Sequence, residues 1–338
     1  MKKIKVSTNF AAVQIAQEQM KLLLISSKQK YSNSFFKITS ILILILIFSC
    51  SNSDEPDLEL RVKDFPNRVQ DFSMWQLEPF FQETQMGYII KTDDNQIIVI
   101  DGGGFSAAPY LESYLRQLGG TVNTWIITHG HLDHMGALIE IIDSKAIVIE
   151  RLIHAPPTLD WALKNEASSK STFTRYINSI QNAKLSELIP ENEEELFLGD
   201  GVRMEILSAG NSEIVQNAIN NSSLVFRISS KSKSILFLGD MGIEGGQKIL
   251  QSPAVEKLKA EYVQMSHHGQ QGVDKEFYDA VQADYALWPT PNWLWENRAD
   301  GKGRNTGDYK TLIVREWMED LGITKNYVSG LEGTVQID

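Results

Sequence analysis

The amino-acid sequence predicts a layered α/β fold. Hydrophobic residues make up 42% of the 338 residues and charged residues 22%, so the chain has enough apolar material for a packed core. Short apolar runs of strand length form two blocks, and segments with helical spacing are interleaved with each block. Helices that flank mixed sheets pack into layers. We find no repeat and no second linker, so residues 73–338 are predicted to form one domain after a polar linker over residues 51–72.

The first block begins near residue 86, where apolar runs alternate with turn signals. The turn Asp93-Asp94-Asn95 separates its first two strands, and the loop Asp101-Gly102-Gly103-Gly104 requires unusual backbone angles. In order, the predicted elements are strands over 87–91 and 97–100, a helix over 107–118, a strand over 124–127, a helix over 135–142, a strand over 146–153 and one or two helices over 159–188.

The second block begins after residue 195 and contains a hairpin around Ser229-Ser230-Lys231-Ser232-Lys233. In order, the predicted elements are strands over 196–198, 202–207, 223–228 and 234–238, a helix over 243–260, a strand over 262–265, a helix over 275–281, a strand over 285–288, a helix over 309–321 and strands over 327–337. Gly322 is placed to end the last of these helices.

The first fifty residues have the pattern of a signal peptide. Residues 1–50 carry seven basic side chains and one acidic side chain, and the apolar run over 41–48 is too short for a membrane span, which needs about 20 residues. Ile47-Phe48-Ser49-Cys50 resembles a bacterial lipobox, which implies a lipidated Cys50 as the mature N-terminus. A buried strand with a core cysteine is the alternative, but a polar tether follows the run. We therefore expect a lipid-anchored protein of the bacterial cell envelope, either periplasmic or on the outer-membrane surface.

Charge and cysteine content exclude several functions. Residues 51–338 carry 25 basic and 42 acidic side chains, a net charge of −17. Such a surface repels bulk nucleic acid and anionic membranes, so the predicted partner is a small-molecule substrate. The single cysteine excludes an internal disulfide framework, a cysteine-rich zinc site and an iron–sulfur cluster.

The most informative segment is His129-Gly130-His131-Leu132-Asp133-His134, which places four metal-binding side chains within six residues. The segment follows a predicted strand and precedes a predicted helix, which is where α/β sheets present ligands. Because side chains alternate along extended chain, His129 and His131 are expected on the same side. Imidazole and carboxylate suit zinc, and also manganese or iron.

This segment resembles the His-x-His-x-Asp-His motif of the metallo-β-lactamase superfamily. Three further motifs occur in the order of that family: Asp101-Gly102-Gly103, Leu238-Gly239-Asp240-Met241 and Ser266-His267-His268-Gly269. The resemblance extends from about residue 80 to the C-terminus. It implies a four-layer αββα sandwich with a binuclear metal site at one edge of the sheets.

The resemblance also implies roles for single residues. His129 and His131 would hold metal one. Asp133, His134 and one of His267 and His268 would hold metal two. Asp240 would bridge the two metals, and Asp133 and Asp240 are the predicted catalytic carboxylates. The implied cofactors are two divalent ions; Zn²⁺ is the preferred metal, and Mn²⁺ or Fe are the alternatives. Asp101 is expected to orient a histidine.

The implied activity is metal-dependent hydrolysis by a metal-bridging hydroxide, with a phosphodiester or related ester as the substrate. One alternative is a β-lactam or thioester hydrolase on the same fold. A non-catalytic, envelope-anchored metal-binding protein is the other alternative.

The chain departs from the family where a third metal-one histidine usually stands. That position reads Asn220-Asn221-Ser222-Ser223-Leu224-Val225, which resembles the subgroup that contains the C-terminal domain of competence channels and a phosphorylcholine esterase. His154 either lines the substrate pocket or is a structural histidine. The loop over 289–307 offers two further open choices, since its tryptophans could wall a pocket or cover the core, and its basic residues could grip a phosphate or face solvent.

Overall fold

The computed structural model describes residues 58–63 and 71–337. The predicted signal peptide, the lipobox with Cys50 and most of the predicted linker lie outside the described residues. Over the two described ranges, no helix has the length and apolar character needed to cross a membrane.

Two seven-stranded mixed sheets form the centre of the domain. The first sheet has the strand order β16-β1-β2-β3-β5-β7-β8, and the second has the order β15-β14-β13-β12-β11-β10-β9. The strands are β1 Phe72–Gln76, β2 Gly87–Thr92, β3 Ile97–Asp101, β4 Thr121–Val122, β5 Thr124–Ile127, β6 Val148–Ile149, β7 Leu152–His154, β8 Glu187–Leu188, β9 Glu195–Gly199, β10 Val202–Ala209, β11 Leu224–Ser229, β12 Ser234–Phe237, β13 Tyr262–Gln264, β14 Tyr285–Trp288, β15 Lys325–Val328 and β16 Val335–Ile337. The short strands β4 and β6 pair separately.

Helices cover the outer face of each sheet. In the described residues they are α1 Ala108–Gln117, α2 Leu132–Ser144, α3 Leu159–Asn165, α4 Lys170–Ala183, α5 Ala218–Asn221, α6 Ile243–Leu250, α7 Lys275–Val281, α8 Asn292–Trp295, α9 Thr311–Asp320 and α10 Ser329–Glu332. Several begin at a side-chain cap: the Thr158 hydroxyl accepts from the backbone N–H of Trp161, and the Asp274 carboxylate accepts from that of Phe277.

Alternation of apolar side chains along the strands produces the layers. In β3, Ile98 and Ile100 face the central layer between the sheets, while Ile97 and Val99 face the first helical layer. In the second sheet, Phe226 and Phe237 face the same central layer.

The second helical layer repeats this arrangement. Leu236 and Val263 pack there against Phe277 of α7 and Met318 of α9. Three apolar layers between four layers of structure confirm the predicted αββα sandwich.

The structure corrects the predicted elements at four places. The chain has a strand that was not predicted, β1, which pairs with both β2 and the C-terminal β16. The single strand predicted over 146–153 is wrong, because β6 pairs with β4 whereas β7 joins the first sheet. The helix predicted up to residue 188 ends at α4, and β8 follows it.

The helix predicted over 243–260 is also interrupted. α6 ends at Leu250, and a separate 3₁₀ turn, Pro253–Lys257, begins after Ser252. Pro253 has no N–H to continue the helix, and the Ser252 hydroxyl accepts from the N–H of Ala254 instead.

Candidate metal centre

The predicted site residues all follow strands of the two sheets at one common edge. β3 ends at Asp101, β5 is followed by the histidine motif, β12 is followed by Asp240, and β13 is followed by His267 and His268. β3 pairs in parallel with β5, and β12 pairs in parallel with β13. The carboxyl ends of parallel strands are where open sheets present ligands, so the fold brings four separate stretches of sequence to one place.

The two sheets approach each other closely at this edge. The N–H of Leu224, which begins β11, donates to the carbonyl of Thr128 at 2.7 Å. The N–H of Asp240 donates to the Ser223 hydroxyl at 3.1 Å. A Cβ on Gly239, whose φ is +54°, would lie 2.9 Å from both Ser223 and Thr128. This glycine therefore permits the backbone contact that brings Asp240 to the histidine motif.

Five side chains form two overlapping groups of donors. His129, His134 and Asp240 make one group, and Asp133, His134 and His268 make the other; within each group the candidate ligand atoms lie within 4.8 Å of one another. His134 Nε2 lies 3.3 Å from Asp240 Oδ1, and His268 Nε2 lies 3.1 Å from Asp133 Oδ2. Two atoms that bind one zinc at about 2.0–2.1 Å in tetrahedral geometry lie about 3.3 Å apart, so these separations fit ligands of a shared ion.

The outer nitrogen of each ring donates to an acceptor and so fixes the ring. His134 Nδ1 donates to Asp101 Oδ2 at 2.7 Å, and His268 Nδ1 donates to the carbonyl of Pro289 at 3.0 Å. His267 Nδ1 donates to the carbonyl of Gln271 at 2.7 Å. Carboxylates and carbonyls only accept, so the outer nitrogen carries the hydrogen. The inner nitrogen is left for a proton or a cation, as in metal sites whose ligands are oriented by outer hydrogen bonds.

His129 and His131 form a pair with the same property. The Thr128 hydroxyl donates to the Asp101 carboxylate at 2.8 Å, so it can only accept from His129 Nδ1, which lies 3.1 Å away. His131 Nε2 donates to Glu166 Oε1 at 2.6 Å. His129 Nε2 and His131 Nδ1 therefore face each other at 3.1 Å, each with a lone pair. A cation between the two nitrogens would relieve this contact.

Buried polar atoms without a partner mark the same place. His134 Nε2, His268 Nε2 and Asp240 Oδ1 are buried without an aligned hydrogen bond, although their neighbours lie within ion-pair distance. Leaving such atoms unsatisfied costs roughly 1–3 kcal/mol each. The unsatisfied atoms and the facing lone pairs show that the donor set fits a metal ion.

Electrostatic coupling within the cluster shifts several pKa values. Burial lowers the pKa of His129 well below the usual histidine value, and the charge of His134 lowers it further. Burial acts in the same direction on His134 and His268, but the carboxylate of Asp240 and its neighbours outweigh it and raise the pKa of both rings. Both rings therefore hold a proton more tightly than a free histidine does.

The two carboxylates shift in the opposite direction. Burial alone would raise the pKa of Asp133 and of Asp240, but the nearby histidines outweigh it and hold both pKa values well below the usual range. Both side chains therefore remain ionised over the working pH range and can act as anionic ligands.

Three residues around the centre have left-handed backbone angles. Asp101 has a φ of +55°, His267 of +51° and His268 of +55°. Such a conformation costs a non-glycine residue of order 1–3 kcal/mol and is concentrated at functional sites. At the doublet, it separates the two consecutive rings. His268 is buried beside Asp133, whereas a quarter of the His267 side chain is exposed and its Nε2 lies 3.8 Å from Asp240 Oδ2.

Asn220 occupies the neighbourhood of the missing third histidine. Its side-chain N–H₂ donates to Asn217 Oδ1 at 3.1 Å and lies 3.5 Å from His267 Nε2, while its Oδ1 is buried without a partner. Asn221 has a structural role, because its Oδ1 accepts from the N–H groups of Gly242 and Gly245 at the start of α6.

His154 lines a small cavity together with His129, and it has partners on both ring nitrogens. Its Nδ1 lies 2.7 Å from the Tyr176 hydroxyl, and its Nε2 lies 3.1 Å from Glu187 Oε2. It pairs across the sheet with Ile127 of β5. These contacts favour the structural interpretation of His154.

Two of the three tryptophans near the loop over 289–307, Trp288 and Trp295, cover the core. Trp288 is fully buried, and Trp295 packs edge-on against it with ring centroids 5.0 Å apart. Arg315 stacks on the outer face of Trp295 at 3.9 Å. In the basic cluster of this loop, Arg298 is paired with Glu296.

Glu166 is a site residue that the sequence analysis missed. It lies between α3 and the 3₁₀ turn Ala167–Ser169, 35 residues from His131 along the chain. No motif surrounds it, so only the tertiary structure reveals the contact.

An open groove begins beside the centre at Asp133. The groove has a volume of about 510 Å³ and is lined by Glu83, Phe105, Ser106 and Leu132, among others. Asp133 is the member of the cluster that borders this groove, so it connects the buried donors with the space available to a substrate.

Comparisons with known proteins agree with the geometry. A family model described as the metallo-beta-lactamase superfamily matches residues 84–267. The chain is 27% identical over 189 residues to the probable metallo-hydrolase YqgX of Bacillus subtilis (strain 168), covering 54% of this chain and 83% of that protein. It is 23% identical over 206 residues to RNase aCSPSF2 of Saccharolobus solfataricus, covering 57% of this chain but only 39% of that protein. Among solved structures, the metallo-beta-lactamase fold protein YhfI from Bacillus subtilis superposes with a TM-score of 0.49 at 11% identity, covering 80% of this chain and 100% of that one.

Proposed function

The chain belongs to the metallo-β-lactamase superfamily and is a metal-dependent hydrolase, and we propose that it hydrolyses a phosphodiester or a related ester. The observation that carries the proposal is the convergence of imidazole nitrogens and carboxylates, held by outer hydrogen bonds, at the edge of the two sheets. The Asn-x-Ser-Leu-Val segment supports placement in the subgroup of the competence-channel domain and the phosphorylcholine esterase.

We propose that the centre holds two divalent ions, with Zn²⁺ as the preferred metal and Mn²⁺ or Fe as the alternatives. His129 and His131 would hold the first, Asp133, His134 and His268 the second, and Asp240 would lie between them. The two overlapping donor groups support this division. When bound, such ions lower the pKa of a coordinated water towards neutrality and stabilise developing negative charge.

Charge balance favours an anionic substrate at the loaded centre. Four carboxylates surround the histidines: Asp101, Asp133, Glu166 and Asp240. Two divalent ions bring an equal positive charge, so the loaded centre is close to neutral and no longer repels a phosphodiester. The carboxylate of Asp133 borders the groove, where it can accept a proton from an attacking water at Oδ1 or Oδ2.

The name of one relative indicates the type of bond that is cleaved, and the net charge of this chain indicates the size of the substrate. RNA cleavage is phosphodiester hydrolysis, so the relative named as an RNase supports the bond type. The net charge of −17 over residues 51–338 disfavours a long polyanion. We therefore propose a small phosphodiester rather than a nucleic acid as the substrate.

We further propose that the enzyme acts at the bacterial cell envelope, attached through a lipidated Cys50. The basic start of the chain, the short apolar run and the single cysteine after Ser49 support this location.

The proposal is tested by measuring the cleavage of a panel of substrates by the full chain in detergent, before and after treatment with a chelator. We expect bis-p-nitrophenyl phosphate to be cleaved, EDTA to abolish cleavage, and H131A to lose metal. H154Q, outside the centre, is the matched control and should keep its metal. Cleavage of nitrocefin or a glutathione thioester without phosphodiester cleavage would assign the alternative hydrolase classes. Full metal occupancy with no turnover on any of these substrates would favour the non-catalytic binding protein.

A further inference from the structure

Glu166 joins the histidine pair to the segment that replaces the family's third histidine. Its Oε1 accepts from His131 Nε2 at 2.6 Å and from the Ser169 hydroxyl at 3.0 Å. The backbone N–H of Ile219, the residue before Asn220, is directed at this carboxylate and helps to lower its pKa. We propose that Glu166 is a positioning residue that directs His131 Nδ1 into the first metal position. This inference rests on the metal centre proposed above.

The hydrogen bond to Glu166 fixes the tautomer of His131. A carboxylate only accepts, so the hydrogen of the ring is on Nε2 and the lone pair is on Nδ1. Without Glu166, the hydrogen could sit on either nitrogen, and the ring could turn about its terminal torsion. A carboxylate on the outer nitrogen also raises the basicity of the inner nitrogen and so strengthens its bond to a metal.

The ring of His131 is more exposed than the other rings of the first motif. The side chain of His131 is 20% exposed, whereas those of His129 and His134 are fully buried. Packing therefore supports the hydrogen bonds that hold His129 and His134, whereas the partly exposed His131 depends more on its hydrogen bond alone. Because the segment over 220–225 stands where the resemblance places a third histidine, the first metal position has only two ring nitrogens from the motif. A misplaced His131 removes half of them.

The position of Glu166 is itself fixed by contacts of the surrounding segment. Thr158 caps α3, and Trp161 of this helix donates from its indole N–H to the carbonyl of Ser212 at 2.8 Å. The segment before Glu166 is thus tied to the second half of the chain. The Ser169 hydroxyl donates to the same carboxylate from a further direction. The position of Glu166 is set by the fold and not by His131 alone.

The test is metal titration of the full chain with Zn²⁺ and Co²⁺, compared with E166A and E166Q. In E166A we expect the affinity of one of two metal equivalents to fall by about 10–100-fold, with a changed Co²⁺ visible spectrum at that site, while the other equivalent is unchanged. E166Q keeps an accepting oxygen and should recover most of the affinity. The matched control is E187A, since Glu187 contacts Nε2 of His154 at 3.1 Å outside the centre.

The possible failures are distinguishable. Wild-type affinity at both sites in E166A would overturn the positioning role and leave the proposed function intact. An equal loss in E187A would also overturn it, because the effect would then be general. If the wild-type chain takes up no metal, the proposed function itself fails. If E166A does not fold, E166M decides the matter, because methionine keeps the length of the side chain but not the accepting oxygens: a loss confined to one equivalent supports the role, and no loss or an equal loss at both overturns it.

Discussion

Replacing Asp101 by asparagine tests how the fold supports the centre. The Asp101 carboxylate is fully buried and accepts three hydrogen bonds: from the N–H and the hydroxyl of Thr128 at 2.8 Å each, and from His134 Nδ1 at 2.7 Å. Asparagine has the same shape, but an N–H₂ group replaces one accepting oxygen. At best its oxygen keeps two of the bonds, and its N–H₂ then faces the N–H of Thr128.

The magnitude follows from these contacts. Hydrogen bonds to a charged group contribute about 1.5–3 kcal/mol each, so losing one and weakening two should lower the free energy of unfolding by about 2–4 kcal/mol. For a domain of this size, each kcal/mol shifts the melting temperature by about 2–4 °C. Because His134 also loses the partner that fixes its tautomer, metal affinity should fall by about 10–100-fold.

The assay combines urea unfolding in EDTA with a competition titration of Zn²⁺ on the full chain. D143N is the matched control, because Asp143 lies on α2 and accepts from the Ser179 hydroxyl and from Arg175, but is partly exposed. It should change stability by at most about 1 kcal/mol and leave metal affinity unchanged. If D101N keeps the wild-type affinity and stability, Asp101 does not orient His134.

Three further predictions follow from the geometry. In G136A, the new Cβ would lie 2.7 Å from the backbone nitrogen of Phe105, so the free energy of unfolding measured in urea should fall by about 1–3 kcal/mol. An unchanged free energy of unfolding would contradict this contact. H268A should lose one metal equivalent on dialysis, whereas H267A should retain more metal, because only His268 lies against Asp133; the reverse order would reassign the doublet. Metal affinity should fall as pH falls, by about one log unit per pH unit for each proton displaced, because the raised pKa of His134 and of His268 lets protons compete; a flat profile in calorimetric titration would contradict it.

Much of the fold could be predicted because the information is local. The strands of both sheets are short apolar runs bounded by turns, and β3, β5 and β14 were predicted to within a residue. β1 was missed because its stability comes from pairing with β16 at the other end of the chain. The break after Leu250 was missed because helical spacing continues through it, although Pro253 cannot donate to the helix.

The centre was predictable to the extent that its ligands form motifs. The four metal-binding residues of the first motif lie within six consecutive positions, so their proximity comes from the covalent chain and their grouping did not require the fold. The choice between His267 and His268 required the left-handed backbone that separates their rings. Glu166 and the inter-sheet contact of Leu224 with Thr128 depend on residues far apart in sequence, so no local pattern carries them.

The two halves of the sandwich explain why these residues meet. In the first sheet, β3 is antiparallel to β2 and parallel to β5; in the second, β12 is antiparallel to β11 and parallel to β13. Each of these strands thus has a parallel neighbour on one side, and the carboxyl ends of parallel strands are where open α/β sheets present ligands. Asp101 ends β3 and Asp240 follows β12, so equivalent positions of the two halves supply a carboxylate each. The strand after each supplies histidines, His129 after β5 and His268 after β13. Asp101 contacts the motif of its own half and orients His134, whereas Asp240 lies within 3.8 Å of histidines from both halves and therefore links the donors of the two halves.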